Sequence, residues 1–324
     1  MLIDSNESTV ISNLGWAEGG RLWLCDTATS KIRQAKIGEA KYLSFYDGKE
    51  GMFAVVHHFE SNRLEITAHR KATPDDVLAR ITIVDSKPTF DGDTMAWSNL
   101  PRSYVAYYVR FKVDSASPPK VPSNDGFLLF LIDAIRRVVE LHSLDWFDDS
   151  YDHGYQGIIS VKEVPRSDLL LISIQRDSNP VLYDPNTRKV IKKIDLASRH
   201  GNPHLQFRRL ANELWVHDYD TLLKIDPAKW SVSNQIRLQD AGSNNTQQFI
   251  GGFAFNNEET FCAVARPFSG DVVALNTKSF KVTHHAKTER QPIDVAILSN
   301  GKVFARDWKT GDLLTGQLKK KMFA

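Results

Sequence analysis

Short hydrophobic runs separated by polar turns recur along the whole chain. Val, Ile, Leu, Phe and Tyr dominate the runs, whereas Gly, Asn, Asp, Ser and Pro collect between them, which is typical of β-strands and turns. No run has the period of an amphipathic helix. One hairpin pattern repeats, in which an apolar run ends in Asp or Asn and a polar turn precedes a second run with β-branched residues. Its clearest copies are LWLCDTATSKIRQAKI (22–37), VLYDPNTRKVIKKI (181–194), LLKIDPAKWSVSNQI (222–236) and VVALNTKSFKVTHH (272–285).

The turn residues of these hairpins repeat at a regular spacing. A looser copy, FLLFLIDAIRRVVELHSL (127–144), contains Asp133, and Asp184, Asp226 and Asn276 follow it at intervals of 51, 42 and 50 residues. Two further strand-like runs precede each hairpin, so one unit contains four strands, here named a to d in chain order. A four-stranded unit of this length is typical of a β-propeller blade. Five such units are complete, at 42–83, 94–143, 157–194, 204–236 and 249–285.

The remaining strand-like runs lie at the two ends of the chain, in residues 1–37 and 292–318. Combining both ends in one closing blade would remove the exposed edges of the first and last sheets. We therefore predict a single all-β domain over residues 1–324. The predicted fold is a six-bladed propeller of four-stranded antiparallel blades, with 1–37 and 292–318 sharing the closing blade. Seven blades is the alternative, because the first 40 residues contain more candidate strands than this closure needs.

The turns DTATSKIRQAKI (26–37) and DPNTRKVIKKI (184–194) resemble those of YVTN-type propellers. In that family a strand is followed by a turn similar to D-T-A-T-N-K and then by a strand of the form V-x-x-x-I. The resemblance implies a propeller architecture of six to seven blades. It implies no particular activity, because turns of this kind occur in propellers with many functions.

Composition and charge limit the class of protein. The 324 residues are 42% hydrophobic, and 41 Lys and Arg face 39 Asp and Glu, which leaves a formal charge of +2. This balance does not indicate a nucleic-acid-binding protein. No run approaches the roughly 18 apolar residues of a membrane span, and the N-terminus lacks the apolar segment of a signal peptide, so we expect a cytoplasmic protein without a membrane span. Cys25 and Cys262 lie in apolar runs, which predicts buried thiols.

In a propeller, the loops that follow strands b and d converge on one face, where ligands usually bind. The predicted ends of the b strands place an Arg or a His at this level in all six units. Such groups would form a funnel for a carboxylate, phosphate or sulfate, because a guanidinium binds these anions bidentately. Alternatively, each Arg pairs with a neighbouring acid and solvates a turn. The candidate ligand-binding residues are Arg110, Gln175, Arg176, Arg266, Arg306 and Trp308.

The connections from strand d to the next strand a carry further histidines and glutamines. Neutral histidines together with a glutamine can hold a divalent metal at the mouth of a channel. A histidine at a strand end is more often a hydrogen-bonded structural residue, so the sequence leaves a metal cofactor open without favouring it. The candidate metal ligands are His153, His204 and Gln248.

The sequence contains no nucleophile elbow, phosphate-binding loop or dinucleotide-binding motif. Our leading hypothesis is a binding propeller whose partner is an anionic small molecule, a saccharide or a protein. The alternative is a lyase or hydrolase acting on an anionic sugar or another carboxylated molecule in the same funnel. There, His57, His204 or His217 would be the general base and Tyr155 the acid. The binding hypothesis predicts an exposed apolar or aromatic patch on the disc or its rim, and the enzyme hypothesis predicts a deep pocket where a His and two Arg meet.

Overall fold

The structure is a computed structural model. It describes residues 1–4, 6–13, 22–35, 42–47, 51–58, 63–70, 72–84, 98–99, 104–110, 127–133, 138–143, 158–174, 177–196, 204–208, 210–238 and 249–320. All regular secondary structure within these ranges is β-strand, as predicted. Consequently, this part of the chain offers no helix that is long and apolar enough to cross a membrane.

The described strands form seven sheets, numbered here along the chain. Sheet 1 contains β1 (Leu2–Ile3), β2 (Thr9–Asn13), β3 (Leu22–Asp26) and β4 (Ile32–Gln34). Sheet 2 contains β5 (Tyr42–Asp47), β6 (Gly51–His58), β7 (Arg63–Arg70) and β8 (Val77–Val84). The short strand β9 (Ser98–Asn99) precedes sheet 3, which contains β10 (Tyr104–Arg110), β11 (Phe127–Asp133) and β12 (Val138–Ser143).

Sheet 4 contains β13 (Ile158–Glu163), β14 (Leu170–Ile174), β15 (Asp177–Asp184) and β16 (Lys189–Lys193), and β9 pairs with β13 in parallel. Sheet 5 contains β17 (His204–Arg208), β18 (Glu213–Asp218), β19 (Thr221–Asp226) and β20 (Ser231–Arg237). Sheet 6 contains β21 (Phe253–Phe255), β22 (Phe261–Arg266), β23 (Asp271–Asn276) and β24 (Lys281–Lys287). Sheet 7 contains β25 (Pro292–Ile297), β26 (Lys302–Asp307) and β27 (Leu313–Gln317), while β28 (Lys319–Lys320) pairs with the outer strand β24 of sheet 6.

The strand positions agree with the predicted repeat in most units. Sheet 2 occupies 42–84 where the unit 42–83 is predicted, and sheet 5 occupies 204–237 where the unit 204–236 is predicted. The first strand predicted for the unit 94–143 contains β9, which pairs with β13 of sheet 4 and not with sheet 3. In the described residues, strands near the two ends of the chain pair within sheets 1 and 7. The closing blade shared by both ends stays a prediction. The number of blades stays a prediction.

The chain divides into two compact units. Unit 1 comprises residues 1–18, 22–35 and 203–324 and contains sheets 1, 5, 6 and 7. Unit 2 comprises residues 19–21 and 36–202 and contains sheets 2, 3 and 4. The single domain expected over 1–324 therefore stays a prediction.

Neighbouring sheets of unit 1 pack face to face through apolar side chains. Sheet 5 packs on sheet 6 around the fully buried Trp215, whose ring meets Phe280 edge-on at 4.9 Å. Sheet 7 packs on sheet 6 through small side chains such as Ala263 and Ala305. Sheet 1 packs on sheet 7 through Val10, Cys25, Ala296, Leu298 and Phe304. The stacking order of these sheets is therefore 5, 6, 7 and 1, and both Cys25 and Cys262 are buried thiols as predicted.

Four of the turns that join strands c and d, those that follow Asp26, Asp184, Asp226 and Asn276, share one backbone geometry. In each, an Asp or Asn side chain accepts a hydrogen bond from a backbone N–H two or three residues later, as Asp26 does from Thr29 at 2.6 Å. The residue four positions after this Asp or Asn has a positive φ, in the left-handed region. The Asx turn and the left-handed residue together reverse the chain, which explains the recognisable turn sequences. The left-handed residues are Ser30 (φ 57°), Arg188 (φ 58°), Trp230 (φ 54°) and Phe280 (φ 53°).

Arg188 offers a test of this turn geometry, because its side chain is exposed and its φ is 58°. A residue with a Cβ atom pays about 1 kcal/mol for the left-handed conformation, whereas glycine does not. We therefore expect Arg188→Gly to be more stable to urea than Arg188→Ala by about 1 kcal/mol. The same pair of substitutions at Lys189, the first residue of β16, should give the opposite order, because glycine weakens a strand. Equal stability of the two variants at position 188 would contradict the geometry.

Candidate functional site

Three strand-b to strand-c turns of unit 1 meet at one end of sheets 5, 6 and 7. They comprise residues 219–220, 267–270 and 308–312. The rings of Phe268 and Trp308 are in contact, and the ring of Tyr219 is joined to them through Phe249, which shows that the three turns lie on the same face. This is the face on which the sequence predicts the site.

Arg266, at the end of β22, forms a two-point ion pair with Asp271, at the start of β23. Its Nε donates to Asp271 Oδ1 at 2.8 Å and its Nη2 to Oδ2, while Nη1 donates to the backbone carbonyl of Leu238 at 3.2 Å. The two residues are direct cross-strand partners, and both side chains are largely buried. The guanidinium is therefore held by its own sheet.

Arg306, in β26, pairs with Asp294, its cross-strand partner in β25, through a hydrogen bond of 2.9 Å from Nη2 to Oδ2. Burial raises the pKa of the Asp294 carboxyl, but the charges of the N-terminal amine, Arg306 and His204 outweigh it and bring the pKa below its usual value. The carboxylate lies against Gly252, where a Cβ atom would be only 2.8 Å from Asp294 Oδ1. Glycine at this position thus makes room for the ionised carboxylate.

His204 and His217 are direct cross-strand partners in β17 and β18. Their rings stack with centroids 5.3 Å apart and an angle of 9° between the planes. His217 Nε2 lies 2.9 Å from the carbonyl oxygen of Tyr219, so this nitrogen carries the hydrogen and donates it. Burial, reinforced by the charge of His204, lowers the pKa of His217 to about 3. An imidazole with so low a pKa is a weak base near neutral pH, which does not favour the predicted general-base role.

Four aromatic side chains form a cluster on the turn face, here called the aromatic cluster. Phe249 is at its centre, with ring centroids 5.1 Å from Phe268, 5.2 Å from Trp308 and 6.4 Å from Tyr219. Phe268 is 37% exposed, and the other three rings are partly exposed. Only Trp308 is among the residues predicted from the sequence. Tyr219 and Phe268 could have been found from one signal, because each of the turns DYD (218–220), PFSG (267–270) and DWKT (307–310) carries an aromatic residue, whereas Phe249 lies outside these turns.

The backbone fixes the turns that carry this cluster. Ile250 N–H donates to the carbonyl of Tyr219 at 2.7 Å, and Trp308 N–H donates to the carbonyl of Gln291 at 2.7 Å. Gly270, which follows Phe268 in the same turn, has a φ of +66°, a value that glycine adopts without strain. The aromatic side chains are therefore presented by hydrogen-bonded turns of three different sheets.

The other predicted site residues belong to different parts of the chain. His57 lies in β6 opposite Tyr42, and Arg110 ends β10 opposite Phe127. The structure brings His204, His217 and Arg306 into one neighbourhood around Asp294, through the stacked rings and the charge interactions described above. Five predicted residues lie outside the described residues: His153, Tyr155, Gln175, Arg176 and Gln248.

The described side chains bear directly on the predicted metal site. Within them, no three His, Cys, Asp or Glu residues are grouped so as to hold a metal ion. Of the three predicted ligands, this part of the chain includes only His204, which stacks on His217.

Two solved structures are similar to this chain and identify its fold. The chain is similar to the β-propeller domain of Cps50 (Swd1) from Myceliophteria thermophila, with a TM-score of 0.67 and 11% identity over 98% of this chain and 95% of that chain. It is also similar to apo AztD from Citrobacter koseri, with a TM-score of 0.54 and 13% identity over 99% of this chain and 89% of that chain. No protein-family model and no curated protein matches the sequence. The chain thus has a β-propeller architecture, as its YVTN-type turns imply.

The ion pair of Arg266 and Asp271 gives a prediction about stability. Removing one partner of a buried ion pair leaves an uncompensated charge, which costs about 3 kcal/mol or more, whereas removing both partners costs much less than the two single changes together. We expect Asp271→Ala to lower the free energy of unfolding strongly, and Arg266→Met in the same chain to restore a large part of the loss. Urea denaturation of the single and double variants measures this coupling. Additive losses would show that the pair does not act as a unit.

His217 gives a prediction about pH. Its pKa is about 3 in the folded chain, against the usual value of about 6.5 in the unfolded chain, so between these values only the unfolded chain binds the proton. His217 therefore lowers the free energy of unfolding as the pH falls from about 6.5 toward 3, by up to about 1.4 kcal/mol per pH unit, and has no such effect above about pH 6.5. We expect His217→Gln to have a shallower decline of stability between pH 6 and 4. The control is His284→Gln in β24, a histidine that is not buried, and an unchanged slope in His217→Gln would refute the prediction.

Proposed function

We propose that this β-propeller is a binding protein and that its aromatic cluster contacts a protein partner. Propellers commonly bind ligands or proteins, and their turns usually form the contact surface. The observation that carries the proposal is that three turns place Tyr219, Phe268 and Trp308 around Phe249, with their rings in contact with it and partly exposed. Aromatic residues in such a setting are typical of the centre of a protein interface.

The cluster suits recognition because its parts are rigid. An aromatic side chain has only two rotatable bonds, so it contributes a large contact area at a low cost in conformational entropy. Here the rings also pack edge to face, as Phe268 does on Phe249 with an angle of 86° between the planes. A partner that covers Phe268 and Trp308 would therefore gain apolar contact without having to order them first.

The described arginines support a protein partner more than a small anion. Arg266 is already bound at two points by Asp271, and Arg306 donates to Asp294. A carboxylate or phosphate ligand would have to displace these acids, whereas a protein partner that covers the aromatic cluster leaves both ion pairs in place. An anionic small molecule in the Arg- and His-lined funnel predicted from the sequence is therefore the second candidate for the contact.

Phe268→Ser tests this proposal. A photoreactive residue at position 268 would first capture the partner in cells, and the captured protein would then be purified for binding measurements by calorimetry. Because truncation of an aromatic anchor costs about 1–2 kcal/mol or more, we expect Phe268→Ser to weaken binding by about tenfold or more. Circular dichroism and thermal melting would verify that the variant is folded.

The matched control is Leu210→Ser. Leu210 is 71% exposed and lies in the turn before β18, at the opposite end of that strand from Tyr219. This substitution also removes one exposed apolar side chain from unit 1, but it should leave the affinity unchanged. Equal affinity of Phe268→Ser and the wild type, or equal capture from positions 268 and 210, would overturn the proposal.

A further inference from the structure

Exposed cations outnumber exposed acids among the described residues around the aromatic cluster. Four described cations are exposed at this end of sheets 5, 6 and 7, against two exposed acids, Glu289 and Asp312. The remaining acids of the three turns are buried, as Asp220 and Asp271 are. The exposed cations are Arg237, Lys287, Arg290 and Lys309.

Two of these cations are held in place by carboxylates. Arg237 Nε donates to Oδ2 of the buried Asp220, although 69% of the Arg237 side chain is exposed. Arg290 Nη1 donates to Asp312 Oδ2 at 2.7 Å, and 51% of the Arg290 side chain is exposed. A guanidinium has five N–H donors, so one engaged nitrogen fixes its position while the exposed part can still donate to a ligand.

Both arginines lie next to the turns that carry the aromatic side chains. Leu238, which follows Arg237, accepts a hydrogen bond from Arg266 in the strand before the Phe268 turn. On the other side, a Cβ atom at Gly270 would be 3.3 Å from the carbonyl oxygen of Arg290, so these two backbones touch. The aromatic surface is therefore flanked by anchored guanidinium groups.

We propose that the partner presents an acidic segment in which Asp or Glu residues flank an apolar or aromatic side chain. This inference rests on the proposed function and names the class of its partner. The apolar side chain would pack on Phe268 and Trp308, and the carboxylates would accept hydrogen bonds from Arg237 and Arg290. A nucleic-acid-binding surface needs an extended run of cations, but here the exposed acids Glu289 and Asp312 lie among the cations. This surface therefore suits a short acidic segment better than a long polyanion.

The test is selection of peptides from a random 12-residue display library on the full-length protein. We expect the selected peptides to be rich in Asp and Glu around one large apolar residue and to bind Phe268→Ser about tenfold more weakly. A selected peptide, synthesised with a fluorophore, should also bind Arg237→Gln/Arg290→Gln at least about fivefold more weakly at low salt, with a smaller dependence on salt. The matched control is Lys229→Gln/Lys278→Gln, which removes the same charge from exposed positions in the turns between strands c and d and should bind as the wild type does.

Each other outcome decides against one or both proposals. Peptides that lose affinity for Phe268→Ser but show no acidic preference would overturn this inference and leave the proposed function standing. Peptides that bind Phe268→Ser as tightly as the wild type, or no selected peptide at all, would overturn both. A 20-nucleotide single strand that binds as tightly as the acidic peptides and responds to the same arginine substitutions would assign the surface to polyanions and overturn this inference.

Discussion

Face-to-face packing of neighbouring sheets is the constraint on which unit 1 depends. The central strands β22 and β23 are buried on both faces, so neither side of sheet 6 can be left to water. Alternation along β22 directs Cys262 and Val264 toward sheet 5 and directs Ala263 and Ala265 toward sheet 7. One apolar strand thus requires two sheet neighbours, and the same requirement repeats from sheet to sheet.

The N-terminal sheet satisfies this requirement at the end of the series. Its residues Val10 and Cys25 pack on Phe304 of sheet 7. Polar contacts fix the same junction, because Glu7 accepts hydrogen bonds from the backbone N–H and hydroxyl of Ser299, each at 2.8 Å, and Lys302 donates to the carbonyl of Thr27. The first and last sheets of the chain are therefore neighbours within unit 1, although their strands do not share a ladder in the described residues.

How much could be predicted from the sequence depends on whether a feature is local or requires the register of the strands. The c-to-d hairpins are local, since Asp26 and its turn partners lie within a few residues, and the sequence locates them well. The ion pairs are not local. Asp307 is the sequence neighbour of Arg306, yet cross-strand register places Arg306 opposite Asp294, 12 residues earlier. The same register places Asp271 opposite Arg266, a pairing that the sequence pattern alone does not contain.

Three of the four members of the aromatic cluster, all except Trp308, are not predicted from the sequence for a related reason. Each turn shows its aromatic residue in the sequence, but only the stacking of sheets 5, 6 and 7 brings Tyr219, Phe268 and Trp308 to the same place around Phe249. The core between these sheets is already filled by other side chains, including the fully buried Trp215 between sheets 5 and 6. The exposed part of Phe268 adds nothing to that core and leaves apolar surface in water, which is unfavourable for the isolated chain. A partner that covers this ring would remove that apolar surface from water, which gives the turn face a physical reason to bind. The inner strands have no such reason, because their charges are paired and His217 is neutral.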